Sequence, residues 1–227
     1  STPASPTQSR QLATSCGPLS VTPGLQSPAR QELGAQITPP QVTPESTAPF
    51  LVNRDTWTTL VFVDGCFDAS LSHRPMPPTG VTVETLAEAL VADPSLLGTS
   101  TATPFASLNS AWAQDGVVVR VAGGVQVIDP IQFLYLTTPG ADGCAVHVRN
   151  VLRVARGARV QFIESYAGLA PAASFTNAVT EVSVGDGAWI EHSRIQRESE
   201  SAYHVGLTEV EQGRDSHYRS FTLAMGG

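Results

Sequence analysis

The 227-residue sequence predicts a mainly β protein: a right-handed parallel β-helix, preceded by a small α+β segment and an irregular Pro/Ser/Thr-rich arm. Three observations carry this. From Val117 apolar residues alternate with a period of two, as in Val117, Val119, Val121 and Ile131, Phe133, Tyr135. Helical periodicity does not return before the end of the chain. A pattern of apolar–x–x–Gly–small–x–apolar also recurs, at Val121–Val125, Val154–Val160, Val184–Ile190 and, more loosely, Val210–Gly213. Its glycines, Gly124, Gly157, Gly187 and Gly213, are spaced by 33, 30 and 26 residues. Such a period is too long for a hairpin and too short for a βαβ unit with a return strand. It suits a coil of two or three short strands joined by tight glycine turns, with successive coils stacked in parallel. An antiparallel sandwich is the alternative arrangement of the same strands.

The pattern divides the chain into an arm over 1–49, a hairpin with short helices over 50–115, and the β-helix core over 116–227. The arm is rich in Ser, Thr, Pro and Gln, and order is expected from Phe50 onward. Leu60–Val63 runs into Asp64-Gly65 and Cys66-Phe67, and Asp-Gly between apolar runs is a strong hairpin signal. Thr85 and Glu88 form a T-x-x-E capping box, with Leu86 and Leu90 on one face of the helix that follows. Asp93-Pro94 ends that helix and begins a second, and Thr103-Pro104 begins a third. In the third, Phe105, Leu108 and Trp112 fall at i, i+3 and i+7, the stripe of an amphipathic helix, and Asp115-Gly116 closes it.

Composition excludes several functions. The net charge is −7 and the pI about 5.1, which argues against a nucleic-acid surface built from clustered basic residues. All 13 basic residues are arginine, so neither a lysine Schiff base nor a P-loop lysine exists. No apolar run is long enough to span a membrane. The three cysteines, Cys16, Cys66 and Cys144, are scattered and contain no CxxC, which fits a reducing compartment.

The chemistry-bearing residues form no convincing catalytic set. Cys144 and His147 make a lone C-x-x-H, half of a zinc site at best. His192, His204 and His217 are 12 and 13 residues apart. That spacing does not match the coil period, so they are expected on different faces, away from Glu191. Arg194, Arg197, Glu198, Glu200 and Glu209 read as a solvated face of interleaved charges. The rival reading is a β-helix polysaccharide lyase or hydrolase using Glu191, Glu198 or Glu209, with carboxyls held about 5–5.5 Å apart in a retaining pair. Ser165 and Ser174 lack a nucleophile elbow.

A series of motifs resembles the SufB/SufD family of iron–sulfur cluster assembly scaffolds. They are Leu60–Gly65, Phe105–Ala111 with Asp115-Gly116, Pro130–Phe133, Glu164-Ser165-Tyr166, Thr176–Val182, Gln196–Ser199, Tyr203–Gly206, Gln212–Ser216 and Gly226-Gly227. Their order over residues 55–227 is more specific than any one of them. The helix-to-core motif and the lack of a cluster-type cysteine array place the resemblance on the SufD side. It implies a non-catalytic scaffold, with a SufB-like paralogue and a SufC-like ATPase as partners. An iron–sulfur cluster would be held by the assembled complex and no cofactor by this chain alone. The implied location is the cytoplasm, with the plastid as alternative. Glu164, Ser165, Tyr166, Asn177, Glu181, Arg197, Glu198, His204 and Gly206 are the family-motif matches, read as structural, with no catalytic or metal-binding residue assigned. The further coils and SufC-binding helices of the family have no counterpart in the sequence. The last coil is therefore expected to self-associate or to be covered by the arm.

Overall fold

The structure, a computed structural model, describes residues 19–20, 42–53, 55–97, 103–113 and 115–225. Its core is the parallel β-helix expected from the period-two pattern, a solenoid of about four turns. The strands are β5 (Val117–Val121), β6 (Ile131–Thr137), β7 (Cys144–Val154), β8 (Arg159–Gly168), β9 (Phe175–Val184), β10 (Trp189–Arg197), β11 (Tyr203–Gln212) and β12 (His217–Ala224). They alternate between two sheets. The first runs β11-β9-β7-β5 and the second β12-β10-β8-β6, and all of these pairings are parallel. Each coil thus has two strands, one per sheet.

The inner faces of the sheets meet in one cluster of Val, Leu, Ile and Phe side chains, among them Val119, Phe133, Leu152, Phe162, Val182 and Ile190, none more than 2% exposed. Burying each such side chain stabilises the fold by roughly 1.5–3 kcal/mol. Parallel register places equivalent residues directly above one another, so aromatic side chains stack. The ring centroids of Phe62 and Tyr135 are 4.9 Å apart, and those of Tyr135 and Tyr166 are 5.0 Å apart.

One corner of every coil is built alike. Gly124, Gly157 and Gly187 adopt φ of +74°, +67° and +63°. Each donates its backbone N–H to the next coil, to the carbonyls of Arg156, Asp186 and Arg214 respectively, at 2.8–2.9 Å. The fourth position is Asp215, at φ +55°, and not Gly213. Strand register explains the difference, because Trp189 pairs with Arg159 in one direction and with His217 in the other. Gly213 instead matches Gly185. A Cβ there would stand 2.7 Å from the backbone nitrogen of Asp186, so a second requirement for glycine mimicked the first.

The segment before the solenoid caps its first coil. Strands β2 (Thr59–Val63) and β3 (Cys66–Phe67) form the Asp64-Gly65 hairpin, with φ of +49° and +85° at the turn, and β2 joins β6 in parallel. Strand β4 (Val81–Thr85) pairs antiparallel with β5. Helix α2 (Leu86–Ala92) carries the capping box between Thr85 and Glu88. Order begins before Phe50. A helical turn, α1 (Pro44–Thr47), is capped by Thr43, and Val42, Phe50 and Leu51 pack on the outer face of the second sheet against Val61, Leu134 and Leu136. Strand β1 (Leu19–Ser20) pairs antiparallel with β7 at Ala145 and Cys144, so this part of the arm lies away from β11 and β12. Most of 1–49, including Cys16, lies outside the described residues.

Helix α3 (Pro104–Trp112) is docked the opposite way from its apolar stripe. Ala106 and Asn109 face the first sheet, while Phe105, Leu108 and Trp112 are 44%, 38% and 50% exposed. The surface beneath is polar, which decides the orientation. Asn109 donates to the carbonyls of Val148 and Asn177, and Asn177 donates to that of Phe105. Below them Arg149 is completely buried and donates to Asn109 and Ser110, while also pairing with Glu181.

Candidate functional site

The solenoid interior changes chemistry along its axis. In the second sheet the register row Leu60, Phe133, Glu164, Arg194 passes from apolar to charged. In the first sheet the row Asn150, Thr180, Thr208 faces it. These positions have the same strand parity as the apolar residues around them: Glu164 follows Val160 and Phe162, and Arg194 follows Ile190 and His192. The later coils therefore hold ionisable groups where the earlier ones hold hydrocarbon.

Glu164 is the hub. Its side chain is fully enclosed, and Tyr166 donates to one oxygen at 2.5 Å. The other oxygen lies 2.8 Å from His192 Nε2 and accepts from the Thr180 hydroxyl at 3.1 Å. The Arg194 guanidinium lies 3.3 Å away and also donates to Thr208. The network extends outward on both sides. His192 Nδ1 meets the Tyr218 hydroxyl at 2.9 Å, and Thr180 accepts from Asn150, which in turn accepts from Tyr135.

Burial alone would raise the Glu164 pKa. The hydrogen bond from His192 and the charge of Arg194 outweigh it, and the carboxyl is pulled down to about 2. Tyr135 and Tyr166 move the other way. Burial, then the neighbouring Glu164 charge, hold both phenols well above their ordinary pKa. The site thus keeps one carboxylate charged and two phenols neutral.

A second cluster adjoins it. Glu198 accepts from Thr176 at 2.6 Å, from Gln196 at 3.2 Å and from His204 Nδ1 at 2.7 Å. The His204 ring stands edge-on to Tyr166, with centroids 4.6 Å apart. Gly206 lies between the clusters. A Cβ there would come within 2.6 Å of Arg194 Nη1 and 3.1 Å of His204 Nε2, so the missing side chain is the space the guanidinium occupies.

Five of the nine motif residues, Glu164, Tyr166, Glu198, His204 and Gly206, are brought together here. The other four have separate places. Ser165 points outward from β8, its hydroxyl enclosed and without a hydrogen-bond partner among the described residues. Asn177 and Glu181 belong to the seat of α3. Arg197 stacks on Phe50, 4.8 Å from the ring centre. The expectation of a solvated charge face fails for Arg194 and Glu198, which are interior. The expectation that the histidines lie on different faces holds only for His217, which stacks on Trp189 at 4.5 Å. His192 and His204 both point inward, because β10 and β11 belong to opposite sheets whose inner faces meet.

The rival carboxylates do not converge. Glu191 is on the outer side of β10, 3.8 Å from Arg219, and Glu209 is on the outer side of β11 in the other sheet. Cys144 and His147 are three apart on one strand and so face opposite sides of it; His147 is buried against Asn177. Among the described residues, no group of three or more His, Cys, Asp or Glu is arranged to hold a metal ion. Among them also, no helix is long and apolar enough to cross a membrane.

Residues 136–227 match the family model of the SufBD core domain of the SUF iron–sulfur cluster assembly system. The chain is 28% identical over 181 residues to an iron–sulfur cluster assembly SufBD family protein of Synechocystis, an alignment covering 74% of this chain and 40% of the relative. It is 30% identical over 129 residues to the chloroplastic protein ABCI7 of Arabidopsis thaliana, covering 54% of this chain and 27% of the relative. The alignments thus span less than half the length of either relative.

Proposed function

We propose that this chain is a non-catalytic scaffold subunit of a SufBCD-type iron–sulfur cluster assembly complex, on the SufD side of the family. Its partners are a SufB-like paralogue and a SufC-like ATPase. The observation that carries the reading is the SufBD core match over residues 136–227, the stretch that holds β7 to β12. The interior chemistry supports it. Glu164 and Glu198 are enclosed and bonded on both oxygens, and so face no substrate cleft. Glu191 and Glu209, on different sheets, form no pair across a sugar. The cluster is cargo of the assembled complex, and this chain alone holds neither it nor another cofactor. A SufBD relative from a cyanobacterium and a chloroplastic one favour the cytoplasm or the plastid as its location.

The test is co-expression of the affinity-tagged chain with the SufB-like and SufC-like proteins of the same genome. A stoichiometric complex whose ATP turnover resides in the SufC-like subunit supports the reading. Purification of the chain without either partner, or cleavage of an acidic polysaccharide lost in Glu198→Gln, overturns it.

A further inference from the structure

We propose that the outer corner of the first sheet binds an amphipathic oxyanion, with its carboxylate or phosphate head on Arg153 and Arg120 and its apolar body on the shelf between them. The proposal does not rest on the scaffold reading. The shelf is a cavity of about 580 Å³ where β4, β5, β7 and β9 turn the corner. Ala122 and Ala155 are its exposed apolar residues, Val121 and Val154 border it with side chains buried in the core, and Thr82, Arg120, Arg153 and Ser183 also line it. Two of its lining residues are glycines that the backbone requires. A Cβ on Gly185 would stand 2.6 Å from the backbone nitrogen of Arg156, and Gly80 has φ +86° with Val125 and Ala122 already 3.0–3.1 Å from its missing Cβ.

The charge arrangement points to an anion. Arg120 and Arg153 are register partners on adjacent strands, a placement that sets like charges side by side. Glu84 neutralises Arg120 at 2.6 Å. Arg153 is exposed and has no hydrogen bond or ion pair among the described residues; Asp93 and Glu181 reach it only through their longer-range fields. Arg156, exposed on the same corner, likewise has no side-chain partner among them. Three of the 13 arginines of a chain with net charge −7 therefore gather beside an apolar floor, with one close carboxylate. A planar guanidinium donates two parallel hydrogen bonds to a carboxylate or phosphate, and its stem tolerates apolar contact.

The test titrates the full chain with octanoate, octyl phosphate, octanol and octylamine, read by ligand-observed NMR. Octanoate and octyl phosphate are expected to bind saturably, and the tighter of the two identifies the head group. Octanol is expected to bind at least about tenfold more weakly and octylamine not at all. Arg153→Gln, at an exposed position, is expected to weaken both anions about tenfold and leave octanol unchanged. Ala155→Phe, which fills the shelf, is expected to abolish all binding. Equal affinity for octanol and octanoate, no effect of Arg153→Gln, or no saturable binding of either anion overturns the proposal.

Discussion

Glu164 and His192 meet 2.8 Å apart inside the solenoid, on neighbouring strands of the second sheet, where the rows above them are hydrocarbon. The contact makes folding sensitive to acid. The folded-state pKa of Glu164 lies below its unfolded value of 4.5, so its stabilisation is complete above that pH and is lost as pH falls toward about 2. Over this window stability is expected to drop by up to about 1.4 kcal/mol per pH unit. Urea melts at successive pH values check it. Glu164→Gln is expected to flatten the slope while lowering stability at neutral pH by about 3–5 kcal/mol, because Arg194 loses its buried counter-charge. An unchanged slope would remove Glu164 as the cause.

Arg149 anchors α3. Arg149→Met leaves the polar groups of Asn109 and Ser110 without their charged partner, and a loss of about 3 kcal/mol is expected. The figure is at the low end for a buried pair because Glu181, with 30% of its side chain exposed, can rehydrate. Hydrogen exchange separates local from global effects: amides of α3 should lose protection well before those of β8 and β10.

Gly116 sits against the backbone of the next coil, where a Cβ would come within 1.8 Å of the Arg149 carbonyl oxygen. No side-chain movement relieves that contact. Gly116→Ala is expected to cost more than about 4 kcal/mol or to prevent folding. Gly143→Ala is the control. It has φ +69° but open space around its missing Cβ, so only the conformational cost of about 1–2 kcal/mol applies. Equal melting temperatures for the two variants would contradict the geometry.

Asp215 occupies the left-handed corner position that glycine fills in the three preceding coils. Asp215→Gly is expected to stabilise the chain by up to about 1 kcal/mol, measured as a shift in the urea midpoint. Destabilisation would mean that the aspartate side chain contributes more than its backbone conformation costs.

The solenoid was legible in the sequence because side-chain parity and the glycine recurrence report directly on strand and corner. Gly213 misled because two different demands at one corner, a left-handed backbone at one position and close packing two residues before it, both select glycine. The α3 stripe misled for a different reason. Periodicity shows that one face of a helix is apolar but not which face is docked, and here Arg149 and Asn177 offered a polar seat. The interior site was only half legible. Glu164, Tyr166, Glu198, His204 and Gly206 were singled out by their motifs. Charge assigns Arg194 to the solvated face and the 12-residue spacing sets His192 apart from His204, although the alternation of both His192 and Arg194 with Ile190 places them on the inward face. Asn150 and Tyr135 carried no signal beyond that same parity, and Thr180 only its place within Thr176–Val182.

The two corners of the coil differ in a way that bears on how the chain tolerates change. After its opening copy, which runs over 122–130, the glycine corner is four residues long, at 155–158, 185–188 and 213–216, and the copies hydrogen-bond to one another. The opposite connections are six, six and five residues long, at 138–143, 169–174 and 198–202. The first corner acts as a ruler that fixes the pitch of the stack, and one added residue there would shift every later strand by a side-chain position. The second acts as a splice point. Insertions, epitope tags or a grafted loop at 169–174 should leave the register on both sides intact, whereas the same peptide placed at 185–188 should unzip the coils that follow.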